Sequence, residues 1–375
     1  MHGVARREDG HWRVTTFAAA EQVIRQRNTI RQAGFNAELI EQLPPTLRAP
    51  VIFAEGQEHR DMRSTTARLF TPRATERHRA LMQGFADQIV ADFQRKGRAD
   101  LSLMGQRMAA LVVSHLLGMT ESDIAGFERR FSNAIARDPE TSRSLKAFTQ
   151  KLMRQASLLN LYMRDIRPAI RVRRKAPKED LISHLLSLGY RPIEILLECL
   201  MYGVAGVLTT REFISVCMWH FHEDPGLRQQ FVSGDDAQQR ALLYEILRVE
   251  PIVGALHRNT VEPVTVQTDD GVTTVPAGSK LDIDIYAVNA DPAAAGESPN
   301  HVCPGRSLAA SRQPIYSFGA GPHRCPGEWV AMQETHILLR TLLAVEGLAV
   351  ERLPTMSFNP AIEGYELREF ILRCG

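Results

Sequence analysis

The stretch Phe318-Gly-Ala-Gly-Pro-His-Arg-Cys325-Pro-Gly-Glu-Trp-Val-Ala-Met332 places a lone cysteine between a glycine-rich loop and the start of an amphipathic helix, which Pro326 or Gly327 can open. Free N–H groups and the helix dipole at such an end stabilise a thiolate, whose pKa can fall from about 8.5 to between about 3.5 and 7.5. A thiolate is a strong, soft metal ligand. The stretch therefore predicts that Cys325 binds a metal, and that His323 can donate to an anion beside it.

Two other interpretations of this loop are less well supported. Most isolated cysteines are buried, inert thiols, but here the glycine-rich surroundings outweigh that expectation. A dinucleotide-binding loop is disfavoured because Arg324 stands where G-x-G-x-x-G needs its third glycine. The five cysteines (Cys199, Cys217, Cys303, Cys325, Cys374) form no C-x-x-C pair, which disfavours a disulfide framework and a structural zinc site.

The composition of the 375 residues, 44% hydrophobic and 23% charged, is that of a globular protein. The balance of 45 basic against 43 acidic residues argues against a nucleic-acid partner, and the basic cluster at 171–178 is better explained as a solvated loop. No apolar run follows the first residues, so neither a secretory signal nor a membrane anchor is expected and the protein should be cytoplasmic. We expect one continuous domain over 1–375, because no repeat or linker interrupts the chain.

Apolar spacing predicts a mainly α protein with small antiparallel β-sheets. The predicted helices lie near 18–27, 58–69, 74–96, 103–117, 121–136, 141–170, 180–188, 192–223 and 236–249. The predicted strands are 12–16, 264–267, 272–276, 281–285, 349–352 and 368–372. In the long segment 192–223, the glycines and threonines of 203–210 suggest either a soft point in a helix or close helix packing through small residues.

The cysteine stretch resembles the haem-binding signature of the cytochrome P450 family, F-G-x-G-x-H-x-C-x-G, which is matched at Phe318, Gly319, Gly321, His323, Cys325 and Gly327. Three further family motifs follow in family order: His59-x-x-x-Arg63, Ala205-Gly206-x-x-Thr209-Thr210, and Glu245-x-x-Arg248. The resemblance covers the chain from about Trp12 onwards, and the chain begins later than members of the family usually do.

The resemblance implies a haem-thiolate monooxygenase that carries haem b (iron protoporphyrin IX), with Cys325 as the iron ligand. His59, Arg63, Arg258 and His323 would neutralise the haem propionates, and Ala205, Gly206, Phe318, Gly319 and Gly327 would contact the cofactor. The iron would bind dioxygen opposite Cys325, and one oxygen atom would enter a C–H or C=C bond. The pair Glu245 and Arg248 is expected to be structural and to fix the loop before the cysteine.

The sequence departs from the family pattern at two positions. Leu208 stands where most relatives have an acid before the catalytic threonine, so Thr209 lacks its usual partner in proton delivery. Glu212 lies on nearly the same helical face as Thr209 and is a candidate substitute, although an exposed glutamate paired with Arg211 is the favoured interpretation. Ala290 replaces the family's arginine in Asn289-Ala-Asp-Pro292, so one ion pair is absent or supplied from elsewhere.

By the same resemblance, the substrate pocket would be lined by 35–53, Tyr202, Ala205, Leu208, 253–256 and Ile362, with Val253 and Leu256 among the lining residues. These mostly apolar residues predict an apolar or amphipathic small substrate, such as a steroid, terpenoid, polyketide or cyclic peptide. Electrons would come from a separate ferredoxin or flavodoxin with its reductase, docking near Arg63, Arg68, Arg73 and Arg324. Leu208 leaves three alternatives open: a peroxide-driven enzyme, a ring-coupling or dehydrating enzyme, and a haem-binding sensor without turnover.

Overall fold

A computed structural model describes residues 3–26, 28–34, 44, 46–135, 153, 155–268, 271–306, 315–360 and 362–375. The chain divides into two compact units, Met1–Gly105 with Thr209–Gly375, and Gln106–Leu208. Helices predominate and the sheets are small, as the sequence predicted. The helices Leu101–Leu117 and Pro192–Glu223 each contribute residues to both units.

The helices of the first unit are Phe17–Arg25, Gly56–Ala67, Pro72–Arg77, Arg79–Lys96, Pro225–Ser233, Asp236–Val249, Ile285–Asn289, Pro292–Ala295 and Glu328–Leu343. Phe17–Arg25, Gly56–Ala67 and Asp236–Val249 lie within two residues of their predicted ends, whereas Pro225–Ser233, Ile285–Asn289 and Pro292–Ala295 were not predicted. The predicted helix 74–96 is two helices that meet at His78. The last helix, Glu328–Leu343, directly follows the cysteine stretch and is called the cysteine helix below.

The largest sheet has five strands in the order β1 (Val4–Arg6), β2 (Trp12–Val14), β8 (Lys280–Asp284), β5 (Ala255–Thr260) and β3 (Ile30–Gln32). β2 and β8 pair in parallel, so the expectation of purely antiparallel sheets is wrong for this pair. The other sheets are antiparallel: β6 (Val264–Thr268) with β7 (Gly271–Val275), β10 (Thr355–Asn359) with β11 (Gly364–Arg368), and β4 (Arg98–Asp100) with β12 (Ile371–Arg373) and β9 (Ala349–Arg352).

Buried aliphatic residues of the five-stranded sheet, among them Val14, Leu281 and Ile283, form one core with the helix Phe17–Arg25. The predicted single strand 368–372 is wrong, because the chain turns between β11 and β12 at Glu369, whose φ is 59°.

The second unit contains most of Leu101–Leu117, the helices Ile124–Ile135, Arg167–Lys175 and Leu181–Ser187, and the first half of Pro192–Glu223. The predicted helix 141–170 is partly confirmed, since 155–161 are helical and continue through a π-turn at Tyr162–Ile166; its first part, 141–152, lies outside the described residues. Arg173 is 1% exposed and pairs with Asp180, which closes the turn before Leu181–Ser187.

The long helix, Pro192–Glu223, has the predicted bounds. It is α-helical throughout, so the predicted soft point does not open, and close packing through small residues is confirmed instead. A Cβ on Gly203 would lie 2.6 Å from the Phe131 ring, and one on Gly206 would lie 2.9 Å from Val113. This helix is long enough and apolar enough to cross a membrane, with a mean hydropathy of 1.6 over 18 residues. The core helix of a soluble protein can have the same length and hydropathy.

A buried polar network fixes the chain before the cysteine stretch. The Arg248 guanidinium donates to Glu245 (both bonds 2.8 Å) and to the backbone carbonyls of Asn289 (3.0 Å) and Pro299 (2.6 Å). Arg306 Nε donates to the same Glu245 carboxylate at 2.7 Å. Glu245 therefore receives a second cation, from a residue that the sequence analysis did not single out.

We predict that Glu245→Ala lowers the free energy of unfolding by about 3–5 kcal/mol, because it leaves two buried guanidinium groups without their carboxylate. The matched control is Glu351→Ala, which breaks the exposed ion pair with Arg98 and should cost less than about 1 kcal/mol. Chemical denaturation of both variants measures the difference. Equal losses would contradict the structural role of the network.

Arginine bonds hold the pKa of Glu245 below its ordinary value, although burial opposes this. The stabilisation by Glu245 is therefore expected to be complete at neutral pH and to be lost as the pH falls through its folded-state pKa.

Candidate functional site

The backbone of the cysteine stretch aims the sulfur of Cys325. The Cys325 N–H donates to the Phe318 carbonyl (2.8 Å), and the Gly319 N–H donates to the Tyr316 carbonyl (2.8 Å), so the loop closes on itself. Gly319 and Gly321 both have φ of 67°, and a Cβ on Gly321 would lie 2.9 Å from Ile24. Glycine is needed at both positions because side chains disfavour this left-handed conformation.

Cys325 is exposed, and its sulfur accepts a hydrogen bond from the Gly327 N–H at the start of the cysteine helix. The pKa of the thiol is nevertheless above its ordinary value, because removal of water by the surrounding protein outweighs the Gly327 bond and the charge of Arg63. The prediction that the helix end lowers the pKa of the thiol is therefore wrong for the chain without a metal. A metal ion would itself favour the thiolate.

Imidazole and guanidinium groups gather beside the cysteine. The rings of His59 and His323 lie 4.2 Å apart between centroids, and His323 Nε2 lies 3.3 Å from a Glu55 carboxylate oxygen. Burial, with the charges of His323 and Arg63, lowers the pKa of His59 to about 4. His59 is therefore neutral at pH 7. Glu55 was not predicted as a site residue, because it belongs to no sequence motif.

Arg258 is a buried cation, 5% exposed, that β5 carries next to this group. Its guanidinium donates to two neutral acceptors, the side-chain oxygen of Gln32 and the carbonyl of His257. Burial lowers its pKa to about 10, so it remains charged at pH 7. A charged group in this position favours an anion as ligand. Arg63 donates to the backbone carbonyl of Arg324, and Arg324 itself pairs with Glu328 at 2.6 Å.

The two predicted catalytic residues differ in their surroundings. Thr209 is half-buried in the long helix. Glu212 is 1% exposed, so the prediction of an exposed glutamate is wrong, while its pairing with Arg211 (2.8 Å) is confirmed. The same carboxylate also accepts from Arg368 (2.8 Å) and from the Leu367 N–H (2.9 Å), which ties the long helix to β11. Because the Glu212 carboxylate already accepts hydrogen bonds from these three donors, it is disfavoured as a substitute for the acid that Leu208 replaces.

The residues predicted to line the substrate pocket fall in both units. Within the first unit, the Gly254 N–H donates to the Ile362 carbonyl at 2.8 Å, which brings Ile362 next to Val253. A Cβ added to Gly319 would lie 3.9 Å from the Leu256 side chain, so Leu256 borders the cysteine stretch. Tyr202, Ala205, Gly206 and Leu208 belong to the second unit and are all half-buried. Of the predicted lining segment 35–53, residues 35–43 and 45 lie outside the described residues.

Comparisons with known proteins agree with this geometry. The sequence profile of the family described as Cytochrome P450 matches residues 239–345, which include Glu245, Arg248 and the cysteine stretch. Among curated proteins, the chain is 28% identical to the "Polyketide biosynthesis cytochrome P450 PksS" of Bacillus subtilis over 76% of this chain and 67% of that protein. It is 26% identical to the "Mycinamicin IV hydroxylase/epoxidase" of Micromonospora griseorubida, over 88% and 81% of the two chains.

Solved structures share the fold over nearly the whole chain. CalO2 superposes with a TM-score of 0.83 at 19% identity, covering 100% of this chain and 93% of that one. The cytochrome P450 CYP109B1 of Bacillus subtilis gives 0.80 at 21% identity, covering 99% and 95%. The fold, the profile match and the curated relatives agree with the motifs read from the sequence. In sequence and in fold the chain is therefore similar to the cytochrome P450 family of oxidoreductase monooxygenases.

Proposed function

We propose that this protein binds haem b through Cys325 and inserts one oxygen atom from dioxygen into an apolar or amphipathic small molecule. The observation that carries the proposal is the exposed residue Cys325, whose sulfur is held by the Gly327 N–H, in the same unit as the buried, charged Arg258. A soft thiolate ligand and a buried cation that bonds to neutral acceptors within the described residues are two groups that suit an iron porphyrin with anionic propionates. The residues present therefore fit the cofactor.

Four side chains of the first unit would hold the propionates: Arg258 and Arg63 by charge, and His59 and His323 by N–H donation. Haem with a thiolate ligand supplies the binding and reductive cleavage of dioxygen. Phe318, Gly319 and Gly327 would contact the ring beside Cys325. The role of the protein is to orient the cofactor, exclude water and deliver protons.

Thr209 would hold the water that delivers protons, since its hydroxyl can both donate and accept. Within the first unit, Val253, Leu256 and Ile362 would line the substrate pocket. A polyketide or similar secondary metabolite is a suitable substrate class, since two relatives are named for polyketide biosynthesis and for mycinamicin oxidation. We propose that the protein acts in the cytoplasm.

Electrons would come from a ferredoxin or flavodoxin. Arg68 and Arg73 are exposed and would contribute to its docking surface, whereas Arg324 forms an ion pair with Glu328.

Because Leu208 removes the usual acid, a peroxide-driven, ring-coupling or dehydrating enzyme is the second candidate, followed by a haem-binding sensor. Product formation with reductant and oxygen, compared with peroxide alone, separates the monooxygenase from these alternatives.

We predict that Arg258→Leu increases the rate of haem loss about ten-fold or more, because a charge-assisted hydrogen bond contributes about 1.5–3 kcal/mol. Transfer of haem to an excess of apomyoglobin measures this rate. The matched control is Arg95→Ala, which removes an exposed arginine that pairs with Asp92. Unchanged haem loss in Arg258→Leu would mean that this cation does not bind the cofactor.

We predict that Thr209→Ala lowers the yield of product per electron several-fold and raises peroxide release, because water is no longer held for proton delivery. Thr209→Ser keeps the hydroxyl and should retain most of the coupling. The measurement needs a substrate found by ligand screening and a competent reductase system. Wild-type coupling in Thr209→Ala would argue against turnover that depends on dioxygen.

A further inference from the structure

A histidine of β5 lies between two carboxylates that come from different elements. His257 Nδ1 lies 2.6 Å from Oδ1 of Asp282, its direct cross-strand partner in β8. On the other side of the ring, His257 Nε2 lies 3.4 Å from Glu363 Oε1, in the turn between β10 and β11. Asp282 is buried and the other two residues are half-buried. These three side chains, called the His257 bridge below, join the five-stranded sheet to the β10–β11 hairpin.

The turn of this hairpin is closely packed against the segment that leads into β5. The Gly254 N–H donates to the Ile362 carbonyl at 2.8 Å, and a Cβ on Gly254 would lie 2.1 Å from the Glu363 carbonyl oxygen. Glu363 has a φ of 45°, a left-handed conformation that side chains disfavour. Contacts of the turn with the sheet must offset this strain, and the ion pair of Glu363 with His257 is one of them.

The charges around His257 favour its protonated form. The hydrogen bond and the charge of Asp282, together with the charge of Glu363, raise the pKa of His257 above its ordinary value, while burial and Arg258 oppose the rise. Arg258 is the next residue of the strand, so its side chain lies on the opposite face of the sheet. His11 shares the same carboxylate, with its Nδ1 3.1 Å from Asp282 Oδ2.

Two further elements border this group. Arg13 of β2 pairs with Asp284 of β8, so the next charges along these strands are matched to each other. The segment after β3 brings Gly34, which is uncharged, against the His257 ring, since a Cβ on Gly34 would lie 3.5 Å from His257 Cδ2. The carboxylates of Asp282 and Glu363 therefore dominate the electrostatic surroundings of the ring.

One proton decides whether the hairpin side of His257 is attractive or repulsive. The hydrogen bond to Asp282 keeps a proton on Nδ1 when the ring is neutral, because the bond made by one ring nitrogen sets the tautomer. Nε2 then carries a lone pair that faces the Glu363 carboxylate, which is unfavourable. In the protonated ring both nitrogens are donors, so the bridge is complete. It is present below the folded-state pKa of His257 and is lost as the pH rises through that pKa.

We propose that protonated His257 holds the hairpin turn against β5 and thereby positions Ile362 in the wall of the substrate pocket, so that ligands of the pocket bind less tightly once His257 loses its proton. His257 and Glu363 are positioning residues, since they act through Ile362, which is 5% exposed. The place of Ile362 in the pocket rests on the proposed function, whereas the bridge itself does not.

NMR of the purified protein labelled with ¹⁵N at histidine tests the bridge directly, with His257→Gln to assign the signals. We expect His257 to titrate with a midpoint above 6.5 and to keep its proton on Nδ1 when neutral. Glu363→Gln should lower this midpoint by about 0.3–0.7 pH unit, the size expected for one half-exposed ion pair.

Glu369→Gln is the matched control for this titration. Glu369 lies just beyond β11, where it forms an exposed ion pair with Arg352, so its replacement should leave the His257 midpoint unchanged. A proton on Nε2 in the neutral ring, or equal midpoints in Glu363→Gln and wild type, would overturn the proposal.

Hydrogen exchange of the Gly254 N–H measures whether the bridge holds the turn, because this group is bonded to the Ile362 carbonyl. After correction for the intrinsic pH dependence of exchange, its protection should fall about two- to five-fold as the pH rises through the His257 midpoint. In Glu363→Gln the protection should not change at that midpoint. Wild-type protection that also ignores the midpoint would overturn the positioning role.

Tyr365→Phe is the matched control for hydrogen exchange, because it removes a different bond of the hairpin, from the Tyr365 hydroxyl to Glu250 at 2.7 Å. This variant should lower the protection at every pH and keep its dependence on the His257 midpoint. Loss of the pH dependence in Tyr365→Phe would mean that the bridge is not its source, and would overturn the proposal.

Binding of 1-phenylimidazole, whose nitrogen can ligate haem iron while its phenyl ring occupies the pocket, tests the consequence for ligands. The dissociation constant of wild type divided by that of Glu363→Gln cancels ionisation of the probe. This ratio should rise about two- to five-fold as the pH rises through the His257 midpoint, and a constant ratio would overturn the positioning of ligands. If neither protein shows a Soret shift with the probe, the proposed function fails, while NMR and hydrogen exchange still decide the bridge.

Discussion

The orientation of one sulfur atom is the constraint on which the site depends. Cys325 is held by its own N–H bond to the Phe318 carbonyl, and its sulfur receives the Gly327 N–H at the start of the cysteine helix. Neither bond comes from a side chain, so the loop geometry determines where the sulfur points. Glycine at 319 and 321 makes that geometry accessible, and the close approach of Gly321 to Ile24 docks the loop on the core of the five-stranded sheet.

The polar network around Glu245 extends this constraint along the chain. Arg248 and Arg306 both bind its carboxylate and, through their other donors, several backbone carbonyls of the segment before the cysteine stretch. Asn289 joins the network by accepting from the Tyr316 N–H at 3.0 Å. The segment that leads into Phe318 is thus fixed by buried charge and hydrogen bonds. This arrangement explains how a loop with little regular structure can present a metal ligand in one orientation.

Much of this architecture could be predicted because it is encoded locally. Periodicity predicted Pro192–Glu223 and Asp236–Val249 with their observed bounds, and the spacing of the cysteine stretch predicted a loop followed by a helix. The missed features depend on distant partners. No local pattern indicates that Arg306 binds Glu245, that Glu212 is engaged by β11, or that Glu55 lies beside His323. The pKa of Cys325 also shifts in the direction opposite to the one predicted, because loss of water around the sulfur depends on the protein that folds around it.

The absorption spectrum of the reduced, carbon monoxide-treated protein tests the central claim most directly, in wild type and in Cys325→Ala. Wild type is expected to show a Soret band characteristic of a thiolate ligand, and the variant is expected to lose it. A protein that is colourless after expression with ample porphyrin, or a Cys325→Ala variant that keeps its pigment with unchanged axial ligation, would contradict the account.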